Sequence, residues 1–85
     1  MNKATKDLCD ELGAIDIYAG GYSNPVIVFP SLEAAQAVTN SQPDDEWTRK
    51  KLTVHSTEEG RFLITPNTKH PLSYRVLRAL DETQE

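Results

Sequence analysis

Cys9, His55 and His70 are the side chains in this sequence best suited to bind a metal ion or to pair a nucleophile with a base. Their spacing matches no recurring ligand pattern, and nothing in the sequence brings the thiol beside an imidazole. The sequence also contains no P-loop, dinucleotide fingerprint or nucleophile elbow. We therefore predict no catalytic residue, no metal and no cofactor, with both histidines at the surface and Cys9 semi-buried on a helix. An enzyme or metal protein built on these three residues is the least favoured hypothesis.

Two pairs of neighbouring carboxylates, Asp44/Asp45 and Glu58/Glu59, are the other groups suited to acid–base chemistry. A catalytic pair needs two different environments, so that one carboxyl group holds its proton while the other is ionised. These pairs instead occupy a predicted helix start and a predicted tight turn. We interpret them as solvated structural charges.

The most charged stretch is PDDEWTRKKL, residues 43–52, with three acids before three bases and Trp47 between them. Proline suits the first turn of a helix, acids suit its positive end, and bases suit its negative end. We therefore predict a helical turn at 43–49. The alternative is a strand over 47–56.

The same stretch supports a second function, which is binding of single-stranded nucleic acid. Four basic residues would form one strip if the second predicted hairpin aligned them: Arg49, Lys50, Lys51 and Arg61. Tyr18, Tyr22 and Trp47 would add aromatic surfaces on which bases stack. Acids flank each basic cluster, however, and the net charge of −4 opposes attraction to nucleic acid. We therefore treat direct nucleic-acid binding as the alternative function.

Length and composition place the chain among small globular proteins. Its 85 residues suffice for a single domain, 1–85, with one small core. No stretch approaches the roughly 18 apolar residues of a membrane helix, and the polar N-terminus is unlike a signal peptide. A single cysteine excludes an internal disulfide and is typical of a reducing compartment. We expect a complete cytoplasmic protein that does not bind membranes.

Hydrophobic periodicity predicts an α+β fold with the element order αββαββα. The predicted elements are a helix at 3–12, strands at 14–19 and 26–29, a helix at 32–40, strands at 52–56 and 61–65, and a helix at 72–82. The first two strands and the last two strands each form a hairpin. We expect a four-stranded, mainly antiparallel sheet with the helices packed on one face and the other face partly exposed.

The predicted core takes apolar side chains from every element. Its members are Leu8, Leu12, Ile15, Ile17, Val26, Val28, Leu32, Ala35, Val38, Leu52, Val54, Phe62, Ile64, Val76, Leu77 and Leu80. The strand at 26–29 is apolar on both of its faces, which places it in the interior of the sheet.

Aromatic side chains are the strongest candidates for a binding surface. Tyr18, Tyr22, Phe29 and Trp47 are of the types that anchor protein interfaces. The competing interpretation is that Trp47 closes the edge of the core, as a lone tryptophan of a small domain often does. An edge strand or the exposed sheet face offers a further route, to a partner or to a second copy in a homodimer.

The chain resembles the small acidic α+β proteins of phages and mobile elements, including anti-CRISPR inhibitors, in its size, two predicted hairpins and lack of catalytic motifs. The resemblance is architectural, covers the whole chain and transfers no residue roles, and no motif identifies a particular family. It implies a stoichiometric inhibitor that occludes a nucleic-acid-binding site of a larger complex. The acids that would then meet an Arg/Lys groove of the partner are Asp44, Asp45, Glu46, Glu58 and Glu59.

The leading hypothesis is therefore a non-enzymatic protein-binding module that inhibits or modulates a larger protein or nucleoprotein complex. Tyr18, Tyr22 and Trp47 are the predicted anchors, and the charged block at 44–51 sets the orientation of the partner.

Overall fold

The computed structural model describes residues 2–20 and 24–82, and it confirms the predicted α+β fold and element order. The elements are α1 (Lys3–Leu12), β1 (Asp16–Ala19), β2 (Pro25–Phe29), α2 (Leu32–Ser41), β3 (Val54–Ser56), β4 (Phe62–Ile64) and α3 (Pro71–Asp81). Three strands are shorter than predicted: β1 begins at Asp16, β3 begins at Val54, and β4 covers only three residues.

The four strands form one antiparallel sheet in the order β1-β2-β4-β3. Both predicted hairpins are present, and they are joined by the pairing of β2 with β4. β2 therefore has a neighbour on each side, and all five of its residues are buried. The sheet edges are β1 and β3, so the apolar run at 26–29 lies in the interior as predicted.

One face of the sheet forms the core together with all three helices. Ile17, Ile27, Phe29 and Ile64 lie on this face and pack against buried residues of α1, α2 and α3. Ile27, Phe29 and Ile64 are completely buried. Phe29 is therefore a core residue, and its side chain is not available to an interface.

The opposite face of the sheet, here called the open sheet face, carries Asp16, Tyr18, Val26, Val28, His55 and Leu63. Val26 and Val28 were predicted in the core and are indeed buried. They belong to the open sheet face, however, and not to the cluster beneath the helices. The exposed members are Asp16, Tyr18 and His55, whereas Leu63 is half-buried.

Ile15 departs from the predicted core because the first strand begins with a bulge. The Ile15 N–H donates to the Val28 carbonyl oxygen at 2.8 Å, and Val28 is also the residue opposite Asp16. Two consecutive residues of one strand thus oppose a single residue of the other, which interrupts the alternation of side chains. Ile15 consequently lies 40% exposed beside Asp16 and Val28 instead of under the helices.

The helix faces follow the predicted stripes with small shifts. Leu32 is 43% exposed, because it is the first residue of α2 and lies at its open end. The buried stripe of α3 runs through Leu72, Val76 and Ala79, which leaves Leu77 and Leu80 only half-buried.

Local capping signals account for the helix boundaries. Ser31 caps α2 by accepting the Ala34 N–H, and Gly13 ends α1 in the left-handed conformation, with φ of 74°. Asn2 caps α1 by accepting the Thr5 N–H at 2.7 Å. Its amide nitrogen also donates to the Ala79 carbonyl oxygen at 3.1 Å, so the start of α1 is bonded to the end of α3.

His70 is buried, contrary to the prediction of two surface histidines, because it caps α3 from within the fold. Its Nδ1 accepts the Leu72 N–H at 3.0 Å. The ring proton therefore resides on Nε2, which donates to the Pro43 carbonyl oxygen at 2.8 Å. The His70 side chain thus caps the start of α3 and also bonds to the segment that follows α2.

We expect the His70→Ala variant to lose about 2 to 3 kcal/mol of unfolding free energy, because the helix cap and the bond to Pro43 both disappear. His70→Asn keeps a good capping side chain but is too short to reach Pro43, so its loss should be about half as large. Urea unfolding followed by circular dichroism measures both values. Equal stability of the two variants and the wild type would contradict this role.

Candidate protein-binding surface

Residues 43–51, here called the tryptophan loop, connect α2 to the extended segment before β3. The Arg49 N–H donates to the Asp45 carbonyl oxygen at 2.7 Å, and the Asp45 N–H donates to the Lys50 carbonyl oxygen at 2.8 Å. Arg49 closes this turn in the left-handed region, with φ of 57°. A left-handed residue cannot continue a helix. The segment therefore contains one helical turn, closed by the bond from Arg49 to Asp45, which does not continue into a helix, and it is not part of a strand.

The side chain of Asp45 holds this turn together. One carboxylate oxygen accepts the Trp47 N–H at 2.8 Å and the Thr48 N–H at 3.0 Å. This is the local side-chain-to-backbone pattern by which aspartate stabilises turns. Asp45 therefore has a structural role, whereas its neighbours Asp44 and Glu46 are exposed.

Trp47 lies at the surface with 68% of its area exposed, so it does not close the edge of the core. The Lys69 ammonium group lies 5.8 Å from the centre of its ring, within the range of a cation–π interaction. Lys51 braces the far side of the loop by donating to the Asn40 side-chain oxygen at 2.6 Å. The Trp47 ring is thus exposed to solvent on a turn that hydrogen bonds hold in place.

The charged side chains of the tryptophan loop form no ion pair with any other described residue, although those of Asp45 and Lys51 are hydrogen-bonded. Among residues 2–20 and 24–82 the ion pairs are Lys6–Asp10 and Glu11–Arg75, both outside the loop. The loop carries three acids and three bases, so its net charge is zero while both signs are present on its surface. Such a mixed surface orients a partner more than it attracts one.

The register of the strands determines which predicted residues can act together. One end of the sheet, here called the loop end, carries Ala19, Pro25, Ile64 and Val54. The tryptophan loop and the segment 65–70 lie at this end too. The β3–β4 turn lies at the opposite end.

Glu58, Glu59 and Arg61 belong to that opposite end. Arg61 lies near Ile15, Asp16 and Val28 and not beside the bases of the tryptophan loop. The four bases therefore do not form the predicted strip, because the β3–β4 hairpin separates Arg61 from Arg49, Lys50 and Lys51. The predicted acids are also divided between the two ends of the sheet.

The two predicted tyrosine anchors have different outcomes. Tyr18 is 43% exposed on the open sheet face, opposite Val26 and next to the loop end. Tyr22 lies outside the described residues.

Sequence reasoning did not single out Tyr74, which is exposed on α3. Its position two residues after Leu72, off the buried stripe of the helix, is the signal that identifies it.

A cleft of about 330 Å³ between α1 and α3 is the second notable surface feature. Its floor consists of Ala4, Leu8 and Ala79, and charged side chains of both signs surround it. The ion pair between Glu11 and Arg75 crosses it.

Cys9 belongs to the buried side of α1. Burial raises the pKa of its thiol, and the negative charges of Asp16 and Asp10 raise it further. A raised pKa disfavours the nucleophilic thiolate. Within the described ranges, no three His, Cys, Asp or Glu side chains converge into a metal-binding group.

None of the helices in the described part of the chain combines the length and the apolar character that crossing a bilayer requires.

Comparison of the chain with protein-family models, with curated proteins and with solved structures found no match.

Removal of the Asp45 side chain should loosen the tryptophan loop. We expect Asp45→Ala to lose about 1 kcal/mol of unfolding free energy and to increase quenching of Trp47 fluorescence by acrylamide, because two backbone N–H groups lose their acceptor. Asp45→Asn keeps the acceptor oxygen and is the control. Since Trp47 is the only tryptophan, fluorescence reports on this loop alone, and unchanged quenching in Asp45→Ala would contradict the assignment.

The Cys9 thiol should react slowly with a disulfide reagent in the native protein. Its raised pKa leaves less thiolate than a free cysteine has at the same pH, so the rate should continue to increase at pH values where free cysteine has reached its maximum. Stopped-flow titration with and without denaturant measures this. A native rate equal to the denatured rate would contradict the burial of Cys9.

Proposed function

We propose that the chain is a non-enzymatic protein-binding module that inhibits or modulates a larger, nucleic-acid-handling complex by covering one of its surfaces. The tryptophan loop would make the principal contact, with Trp47 as the anchor and the surrounding charges selecting the orientation. This function matches the one implied by the resemblance to small phage and mobile-element inhibitors.

The observation that carries the proposal is the exposure of Trp47 on a braced turn. Tryptophan is enriched among the residues that dominate binding energy, because its ring buries a large area on association. Asp45 holds the turn, and the bond from His70 to Pro43 holds its base. A loop fixed before binding loses less conformational entropy when the partner arrives.

The position of the acids supports a protein partner with a basic surface. Asp44 and Glu46 are exposed on either side of Asp45 and are free of ion pairs within the described residues. They would meet lysine or arginine side chains of a groove that otherwise holds nucleic acid. Glu58 and Glu59 lie at the other end of the sheet and would take part only in a large interface.

Direct binding of single-stranded nucleic acid by the chain itself has weaker support. The separation of Arg61 from the loop bases removes one of the four predicted contacts. Lys69 beside Trp47 would replace it only in part.

Affinity capture from a lysate of the native host, with and without nuclease treatment, tests the proposal. We expect one near-stoichiometric protein partner that survives nuclease. The Trp47→Ala variant should weaken its capture about thirtyfold or more, in keeping with a loss of about 2 kcal/mol or more at an anchor residue. Circular dichroism should show that the variant is folded.

Leu32→Ala is the matched control, because Leu32 is also exposed and apolar but begins α2 at the end of the sheet opposite the tryptophan loop. It should capture the partner as well as the wild type does. Equal capture by Trp47→Ala would overturn the anchor assignment. Partners that disappear on nuclease treatment would transfer the function to Arg49, Lys50 and Lys51.

A further inference from the structure

One row of side chains crosses the open sheet face from edge to edge. The register pairs Asp16 with Val28, Val28 with Leu63, and Leu63 with His55. The row therefore has an acid at one edge, two apolar side chains in the middle, and an imidazole at the other edge. Neighbouring strands are about 4.8 Å apart, so its ends are separated by about 14 Å.

This row is complementary to itself. Consider a second copy placed face to face with the first about a two-fold axis. If this axis is parallel to the strands and midway between β2 and β4, then β1 of one copy lies over β3 of the other. Asp16 then opposes His55 of the second copy, and Val28 opposes Leu63. The polar Asp16–His55 contact and the apolar Val28–Leu63 contact each occur twice, as the symmetry of a homodimer requires.

The charges also select this axis over the other aligned arrangement. A two-fold axis perpendicular to the strands and centred on the row would place β1 over β1, so that Asp16 would oppose Asp16. Like charges directly opposite one another are destabilising. Packing of two sheets with nearly aligned strands is a common arrangement, which accommodates the first axis.

The edges of the sheet are less suited to self-association. The Ile17 N–H of β1 is bonded to the Asp16 carboxylate at 2.9 Å. An added strand would have to compete with that bond. The other edge, β3, has only three residues. The open sheet face is therefore the surface on which a second copy fits.

We propose that the open sheet face binds a second copy of this chain, with the Asp16–Val28–Leu63–His55 row of each copy packed against the same row of the other. The imidazole N–H of His55 donates to the Asp16 carboxylate of the other copy, and Leu63 packs against Val28 of the other copy. This inference does not depend on the tryptophan loop. A dimer would carry two such loops and could engage a partner at two sites.

The size of the face indicates a weak dimer. A four-stranded sheet with strands of three to five residues offers much less than the roughly 800 Å² per partner of a standard interface. Val26 and Val28 are moreover already largely covered by their neighbours. Association should therefore depend on concentration and require a measurement at high concentration.

Sedimentation equilibrium of the purified full chain from about 10 μM to about 1 mM tests the proposal, since this range covers weak dissociation constants. We expect a monomer–dimer equilibrium. Leu63→Lys, which places a charge at the centre of the face, should leave a folded monomer. Asp16→Lys and His55→Glu should each raise the dissociation constant about tenfold, because both symmetry-related contacts are lost together.

The double variant Asp16→Lys/His55→Glu tests whether the single variants weaken the dimer by breaking the Asp16–His55 contact or only by changing the charge of the surface. It places a lysine opposite a glutamate at both contacts, so dimerisation should return to within about threefold of the wild type. Glu33→Lys makes a similar change of charge on α2, away from the open sheet face, and should leave the dimer intact.

Three results would overturn the proposal: a wild type that is monomeric up to 1 mM, a dimer insensitive to both single variants, or a double variant that is not restored. A monomeric wild type whose captured protein partner is lost on Leu63→Lys would assign the face to that partner instead. Trp47→Ala should not change the dimer, so failure of this inference and failure of the proposed function give different results.

Discussion

The antiparallel pairing of β2 with β4 is the contact on which the rest of the structure depends. Each hairpin alone is a two-stranded unit, and such units are marginally stable in water. The pairing of Ile27 with Ile64 and of Phe29 with Phe62 joins the hairpins into one sheet. The resulting face is wide enough to be covered by three helices. The same pairing creates the open sheet face, because Val28 and Leu63 become neighbours on the other side.

Two polar side chains connect parts of the chain that are distant in sequence. Asn2 bonds to the Ala79 carbonyl oxygen, and His70 bonds to the Pro43 carbonyl oxygen. Each side chain also caps a helix, so one residue satisfies a local and a long-range partner at once. Buried polar groups need such partners, because an unsatisfied donor or acceptor is costly in a protein interior. His70 thereby couples the start of α3 to the position of the tryptophan loop.

The protein has two surfaces that differ in physical character. The tryptophan loop is small and carries one large exposed ring and unneutralised charges of both signs. The open sheet face is small and flat, with apolar side chains at its centre and polar side chains at its edges. The loop is suited to inserting into a pocket of a partner, whereas the face is suited to packing against another flat surface. Because they occupy different parts of the molecule, the two proposed contacts do not exclude each other.

Much of the fold was predictable because its signals are local. Ser31, Gly13 and Pro71 define helix boundaries through contacts within one turn, and hydrophobic periodicity identifies the helices and strands. The hairpins follow from short connections between strands. The candidate site was predictable only in part, since the residue types at Trp47 and Tyr18 suggest anchors but their exposure cannot be inferred from their neighbours in sequence.

The amino-acid sequence by itself thus determined the element order, the two hairpins and the helix boundaries at Gly13, Ser31 and Pro71, since these depend on residues a few positions apart. Only the tertiary structure decided the strand order, the burial of Phe29 and His70, and the exposure of Trp47. It also decided the separation of Arg61 from the loop bases and the bulge that turns Ile15 away from the core. These features depend on which distant segments pack together, and many such pairings are compatible with the same local pattern of apolar and polar residues.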